Sequence, residues 1–196
     1  MIRTVIAALI GNYMTTCFVI GLIVGAAHIL RSPRPHTAAS VSGLLLNAYL
    51  LWAVGVGQAM NFVMHSVFGD VAARSIGWAQ SPFQLELAFS SLGTAVVAIM
   101  VHGVRGQFRA KAAVVIATAI FSYGAAGGHI YQLVVHHDLA ANNTGLLLAM
   151  DIVIPTVGLV LVIWHAASRR GDSGSATDAD VASPPAAGTA QPVLTR

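Results

Sequence analysis

Charge is scarce in this chain and cysteine all but missing. Of 196 residues only 9% are Asp, Glu, Lys or Arg, against 56% hydrophobic, and the mean hydropathy is +0.75. A soluble domain carries about 25% charged residues, so a water-exposed globular surface is excluded and a bilayer protein is expected. Cys17 stands alone, which rules out an intrachain disulfide and any cysteine-based metal cluster. Lying in an apolar run, it reads as a small helix-packing residue. A G-x-S-x-G elbow, a Walker loop, an H-E-x-x-H pair and a C-x-x-C-H haem attachment are all missing as well, so no motif points to an enzyme. The formal charge of +3 and pI near 9.5 do not signal nucleic acid, because the basic residues sit singly or in small groups at the ends of apolar runs.

What is present is a set of apolar runs. Five reach the roughly 20 residues needed to cross a bilayer: 4–30, 40–66, 83–103, 112–136 and 144–167. The fold class expected is therefore all-α, one integral membrane bundle of five transmembrane helices over residues 1–167. The first run is too long for a signal-peptide core and carries Asn12, so it is read as a retained helix. Arg31-Ser32-Pro33-Arg34-Pro35-His36 is a basic turn whose prolines cannot continue a helix. Ser81-Pro82-Phe83-Gln84 fits a capping box with Pro82 at the first helical position. Asn142, Asn143 and Thr144 are read as caps for the fifth helix. Residues 70–78 are expected to form a short interfacial helix capped by Asp70, with Trp78 at headgroup level. Residues 168–196, rich in Ala, Ser, Pro, Gly and Asp, are expected to be a disordered cytoplasmic tail.

Orientation follows from Lys and Arg. One side carries Arg31, Arg34, Arg105, Arg109, Lys111, Arg169, Arg170 and the distal Arg196; the other has Arg3 and Arg74. The positive-inside rule then places the N-terminus outside and the C-terminus in the cytoplasm, in what the Ala/Gly/Val-rich composition and short loops suggest is a bacterial cytoplasmic membrane.

Three ionisable residues, Glu86, His129 and Asp151, fall inside these apolar runs, where a charge normally faces a protein interior or a wet cavity. Helical spacing extends them into stripes: Asn12, Thr15 and Thr16; Gln58, Asn61 and His65; Glu86, Ser90 and Gly93; Ala125, His129, Gln132 and His136; Thr144, Leu148, Asp151, Pro155 and Gly158. With Gln84, these stripes are expected to converge on a polar chamber in the outer half of the bilayer. Pro155 has no N–H, which releases the Asp151 carbonyl. The result is either an oxygen-rich spot for a cation, water or donor, or a proline kink satisfied by a neighbouring hydroxyl. His28, His102 and His165 lie near the opposite helix ends and read as interfacial residues.

Two carboxylates and a histidine, Glu86, Asp151 and His129, could bind a metal ion or relay protons, and equally could lock helix packing. Haem is a further candidate cofactor, with His65 and His129 as the outer ligand pair and His28, His102 or His165 able to supply an inner one. His136-His137-Asp138 reads as a solvated loop before a metal tract. Gly21/Gly25 and Gly124/Gly128 have the spacing of close helix contacts.

The segments Gly77-Trp78-Ala79-Gln80-Ser81-Pro82-Phe83-Gln84-Leu85-Glu86 and Gly128-His129-Ile130-Tyr131-Gln132 resemble a bacterial family of small multi-pass integral membrane proteins of unknown function, carrying GW-x-x-SPFQ-x-E and GHIYQ-like elements. The resemblance implies that Trp78, Pro82, Gln84, Glu86, Gly128, His129 and Gln132 belong to one element, and brings no activity with it. Three functional classes stay open. The first is a membrane accessory or interaction protein with a structural polar cluster. The second is a component binding or transporting a proton, metal ion or small polar solute, which with only five helices and no internal repeat would need an oligomer. The third is a redox subunit with haem or quinone. The partners expected are membrane lipid and a second copy or another membrane protein, not nucleic acid.

Overall fold

The computed structural model describes residues 2–181, and every regular element among them is helical. Five helices are long and apolar enough to cross a membrane: Tyr13–Arg31, Ala38–Ser66, Phe83–Val101, Phe108–His136 and Ala141–Arg170, here spans one to five. The chain turns at one end of the bundle through residues 32–37 and 102–107; because Arg169 and Arg170 also lie there, it is called the basic end. The opposite end holds residues 67–82 and 137–145.

The second span is the most buried of the five and packs against the first, third and fifth, while the fourth lies along the fifth. The shared core contains Phe18, Leu46, Leu50, Val54, Val115 and Ile154. Large apolar side chains also cover the outside, among them Ile23, Phe89, Met100, Ile120, Val134 and Ile163. A helix apolar on all faces is what a bilayer solvates and water does not.

Local chemistry shifts the expected bounds. The run expected as one helix over 4–30 breaks at Asn12, which has φ −118 and ψ 41 and separates Ile2–Gly11 from Tyr13–Arg31. Its side chain donates to the Ala8 carbonyl at 2.9 Å, the kind of local bond by which Asn competes with a helix. The fourth span starts at Phe108, earlier than the expected 112, and so takes in Arg109 and Lys111. The fifth contains a short turn, Ala141–Thr144, a bend at Gly145, and then helix from Leu146 to Val181. The first part of the segment expected to be disordered is thus helical: its first proline is Pro184, and adding residues to an existing helix avoids the cost of nucleation. The rest of that expected tail, 182–196, lies outside the described residues. Gly69–Ser75 forms the short helix, with Asp70 in its first turn and Phe68, not Asp70, at the cap position.

Close approaches fix the packing at two places. A Cβ on Gly21 would stand 3.2 Å from the Trp52 Cβ, and one on Gly25 would stand 2.9 Å from Leu45, so this pair does seat the first span on the second. Gly124 has nothing within 4 Å, and Gly128 meets only the Trp78 ring at 3.6 Å, so the second glycine pair is not a helix–helix seam. The second span widens into a π-helical run at Tyr49–Val56. At its start the Tyr49 hydroxyl donates to the Ile154 carbonyl at 3.1 Å, next to Pro155. Gly158 leaves the room for that ring: a Cβ there would lie 2.5 Å from the Tyr49 oxygen and 2.8 Å from Cε1. Gly158→Ala should therefore lower thermal stability in detergent by about 1–3 kcal/mol. The loss should be clearly smaller in a Tyr49→Leu background; equal losses in both would show that this contact is not the limiting one.

Candidate functional site

His129, on the fourth span, is buried with 5% of its surface exposed, and it organises the opposite end of the bundle. Its Nδ1 lies 2.7 Å from Oδ1 of Asn143, which is fully buried. The Asn143 Nδ2 donates to the Asp138 carbonyl at 2.9 Å and to the His129 carbonyl at 3.4 Å. Carbonyls only accept, so these two contacts fix the amide orientation; the Asn143 oxygen then faces Nδ1, which must carry a proton. That leaves Nε2 directed at Asp151, with 3.8 Å between Nε2 and Oδ2.

A neutral ring protonated on Nδ1 presents a lone pair at Nε2, and an ionised carboxylate presents another. Two acceptors facing each other repel, so one proton on either atom makes the contact attractive. Their separation exceeds hydrogen-bond range yet falls within ion-pair range. The Asp151 side chain is 20% exposed, but its Oδ2 is buried and has no hydrogen-bond partner among the described residues. The indole Nε1 of Trp78 is likewise buried and unpaired, and its ring lies against His129 with centroids 5.2 Å apart. The loop can deliver Trp78 there because Gly77 is left-handed, at φ +78, and a Cβ on it would stand 2.7 Å from the Asp138 carboxylate. One orphan donor and one orphan acceptor thus belong to residues that contact the same imidazole.

A second cluster connects the other spans. The Tyr13 hydroxyl donates to Asn61 Oδ1 at 2.5 Å, Asn61 Nδ2 donates to Ser91 Oγ at 2.8 Å, and Ser91 Oγ donates to the Leu87 carbonyl at 3.0 Å. Nearby, His65 Nδ1 is hydrogen-bonded to Gln84 Oε1.

The candidate residues are therefore only partly gathered. His129 and Asp151 meet; Asn61, His65 and Gln84 lie in neighbouring contacts; Gln58 is buried in the second span. Gln132 is half-buried, and its carbonyl caps the end of the fourth span by accepting from the Asp138 N–H at 3.2 Å. Asn12 sits at the helix break, its side chain bonded to the Ala8 carbonyl. Glu86 is exposed in the first turn of the third span, as are Ser90 and Gly93 further along it, so that face does not look into the bundle. A carboxylate in a first helical turn is favoured by the helix dipole and needs no buried partner. The metal trio loses a ligand in consequence, and among the described residues no three His, Cys, Asp or Glu side chains gather as a metal site. The two imidazoles considered for haem, His65 and His129, are held by different partners, Gln84 and Asn143.

Sequence reasoning missed Tyr13, Ser91 and the roles of Trp78 and Asn143. Asn143 does not cap the fifth helix but ties the 137–143 turn to His129. The Ser81 hydroxyl accepts from the Phe83 N–H at 3.2 Å, but Pro82, not Ser81, holds the cap position of the third span, and Gln84 turns to His65 and does not reach back. A signal for Ser91 was available: Ala88, Ser91, Ala95 and Ala98 form a stripe of small residues, all buried, which marks a packed face in a membrane helix.

A sequence profile for a family of unknown function, DUF6790, matches residues 11–171. The chain belongs to that family. No curated protein and no solved structure matches it. The matched stretch takes in all of Tyr13, Asn61, Trp78, Ser91, His129, Asn143 and Asp151.

Asn143→Ala should remove the acceptor for His129 Nδ1–H and the donor for the Asp138 carbonyl, lowering stability by about 1–3 kcal/mol. Nitrogen-15 NMR of the His129 ring should report a proton on Nδ1 in the native chain and a mixture of tautomers in the variant. A native spectrum dominated by the Nε2–H tautomer would contradict the assignment.

Proposed function

We propose that this DUF6790 member is a small multi-pass membrane accessory component whose His129–Asp151 pair binds a proton or a small hydrogen-bonding solute, with a chamber facing the outside. The observation that carries this reading is that two residues in contact with one buried imidazole, Trp78 through its ring and Asp151 through its carboxylate, each keep a buried polar atom unpaired among the described residues. A cluster serving only to lock helices would satisfy its own polar atoms, since each buried unpaired group costs about 1–3 kcal/mol. Polar atoms left open beside the imidazole are instead suited to a ligand that pairs with them. The concentration of Arg31, Arg34, Arg105, Arg109, Lys111, Arg169 and Arg170 at the basic end supports placing that end in the cytoplasm and the chamber outside, in a bacterial cytoplasmic membrane. Five spans without a visible internal repeat favour a component acting with a second copy or another membrane protein over a complete transporter.

The binding reading and the purely structural one part on Asp151→Asn, which keeps the shape and removes the charge. Infrared difference spectra of the protein in liposomes, taken across about pH 5–8, should contain a carboxyl C=O band that vanishes in Asp151→Asn and shifts in His129→Gln. Thermal stability of Asp151→Asn should equal or exceed that of the native chain, because an unpaired acceptor is replaced by a group that can also donate. A stable native protein with no such band, and an Asp151→Asn variant that melts well below it, would overturn the reading.

A further inference from the structure

The basic end carries grooves of its own, away from His129. Between the 32–37 turn, the 103–107 loop and the fifth span lies an open groove of about 630 Å³, and an adjoining one of about 940 Å³ shares with it Arg105, Gly106, Gln107, Phe108 and Arg169. Arg105, Arg109, Lys111, Arg169 and Arg170 line the pair of grooves, and among the described lining residues there is no Asp or Glu. Basic residues near helix ends are ordinary topology determinants, but those sit in solvent, and Lys111 does not: only 8% of it is exposed. Its Nζ donates to Asn47 Oδ1 at 2.7 Å, an oxygen that also accepts from the Gly103 N–H at 3.2 Å. That neutral acceptor occupies one of the three ammonium donors, and among the described residues no carboxylate pairs with it. A buried cation held by a neutral amide, in a groove lined by further cations, is electrostatically incomplete.

The backbone around it suits an anion. Gly103 and Gly106 are left-handed, at φ +69 and φ +76, and neither has an atom within 4 Å of where a Cβ would stand, so a ligand can approach the chain closely there. Gln107, at φ −91 and ψ 32, follows with the opposite hand and opens the fourth span without capping it by its side chain. Such alternation turns successive N–H groups to one side. These loops join the ends of membrane-length helices, which is the depth of lipid headgroups.

We propose that the groove beside Lys111 and Arg105 binds a phosphate group at the membrane boundary. A phosphodiester in an anionic lipid headgroup and a soluble phosphate share this chemistry, and basic pockets between membrane helices recognise it through several cations at once. The purified full-length chain in neutral detergent would be titrated separately with phosphatidylglycerol, phosphatidylcholine and inorganic phosphate. Bound molecules would be counted by native mass spectrometry, and the thermal midpoint followed in parallel. Retention of phosphatidylglycerol in preference to phosphatidylcholine, weakened about fivefold for each cation removed in Arg105→Gln and Lys111→Met, establishes the lipid as the source. Stabilisation by inorganic phosphate alone, lost in the same variants, supports the site with a soluble ligand. Arg105 is exposed, so Arg105→Gln remains a fair test if Lys111→Met fails to fold. Equal retention of both lipids with no effect of phosphate, or a preference unchanged in Arg105→Gln, would overturn the proposal.

Discussion

Hydrocarbon offers no hydrogen bonds, and the arrangement of this bundle follows from where its polar side chains find partners without water. Asn143 meets that constraint most completely. One amide accepts from the His129 ring and donates to two backbone carbonyls, so the turn between the fourth and fifth spans is fastened to the helix it has just left. The position of Asp151 opposite Nε2, the identity of the ring nitrogen that bears hydrogen and the seat for Trp78 all depend on that amide.

The two ends of the bundle handle polarity differently. At one, side chains from all five spans are threaded into short relays, Ser91–Asn61–Tyr13 and Asn143–His129–Asp151, with His65–Gln84 alongside. At the other, Asn47 holds a lysine and a loop N–H together, and His165 meets Ser42 at 2.9 Å while its ring lies 5.6 Å from that of Phe108. Between them the shared core is mainly aliphatic, with Leu46, Leu50, Val54, Val115 and Ile154. The polar groups therefore concentrate towards the two ends, and between them the mainly aliphatic core carries the Tyr49–Ile154 hydrogen bond and the buried hydroxyls of Thr118 and Ser122.

Hydropathy made the five spans legible, because an apolar run of membrane length is soluble in a bilayer and in almost nothing else. The site was legible where a polar residue sat mid-helix on a face with small or helix-breaking neighbours: Asp151 with Pro155 and Gly158 shows this. It was misread where the same residue types sat at a helix start. Glu86 looks like part of an inward polar stripe by helical spacing, yet it is exposed in the first turn of the third span. Asn143 looks like a cap by sequence, and only the fold shows that the turn carries it back onto a ring fourteen residues away. Tyr13 was overlooked because an aromatic in an apolar run reads as packing, whereas its hydroxyl finds Asn61 across the helix interface.

The widened run at Tyr49–Val56 sets how the two polar ends of the second span are oriented to one another. A turn closed by i to i+5 bonds takes in one residue more than an α-turn, and one residue of helix corresponds to about 100° of rotation. Asn47 lies before that run and Asn61 after it, on one continuous helix. The run acts as a shim between them, setting the angle at which Asn61 faces Tyr13 and Ser91 while Asn47 faces Lys111. The length of the second span could thus drift by a single residue only if this stretch rewound, and the two asparagines would then point to different neighbours.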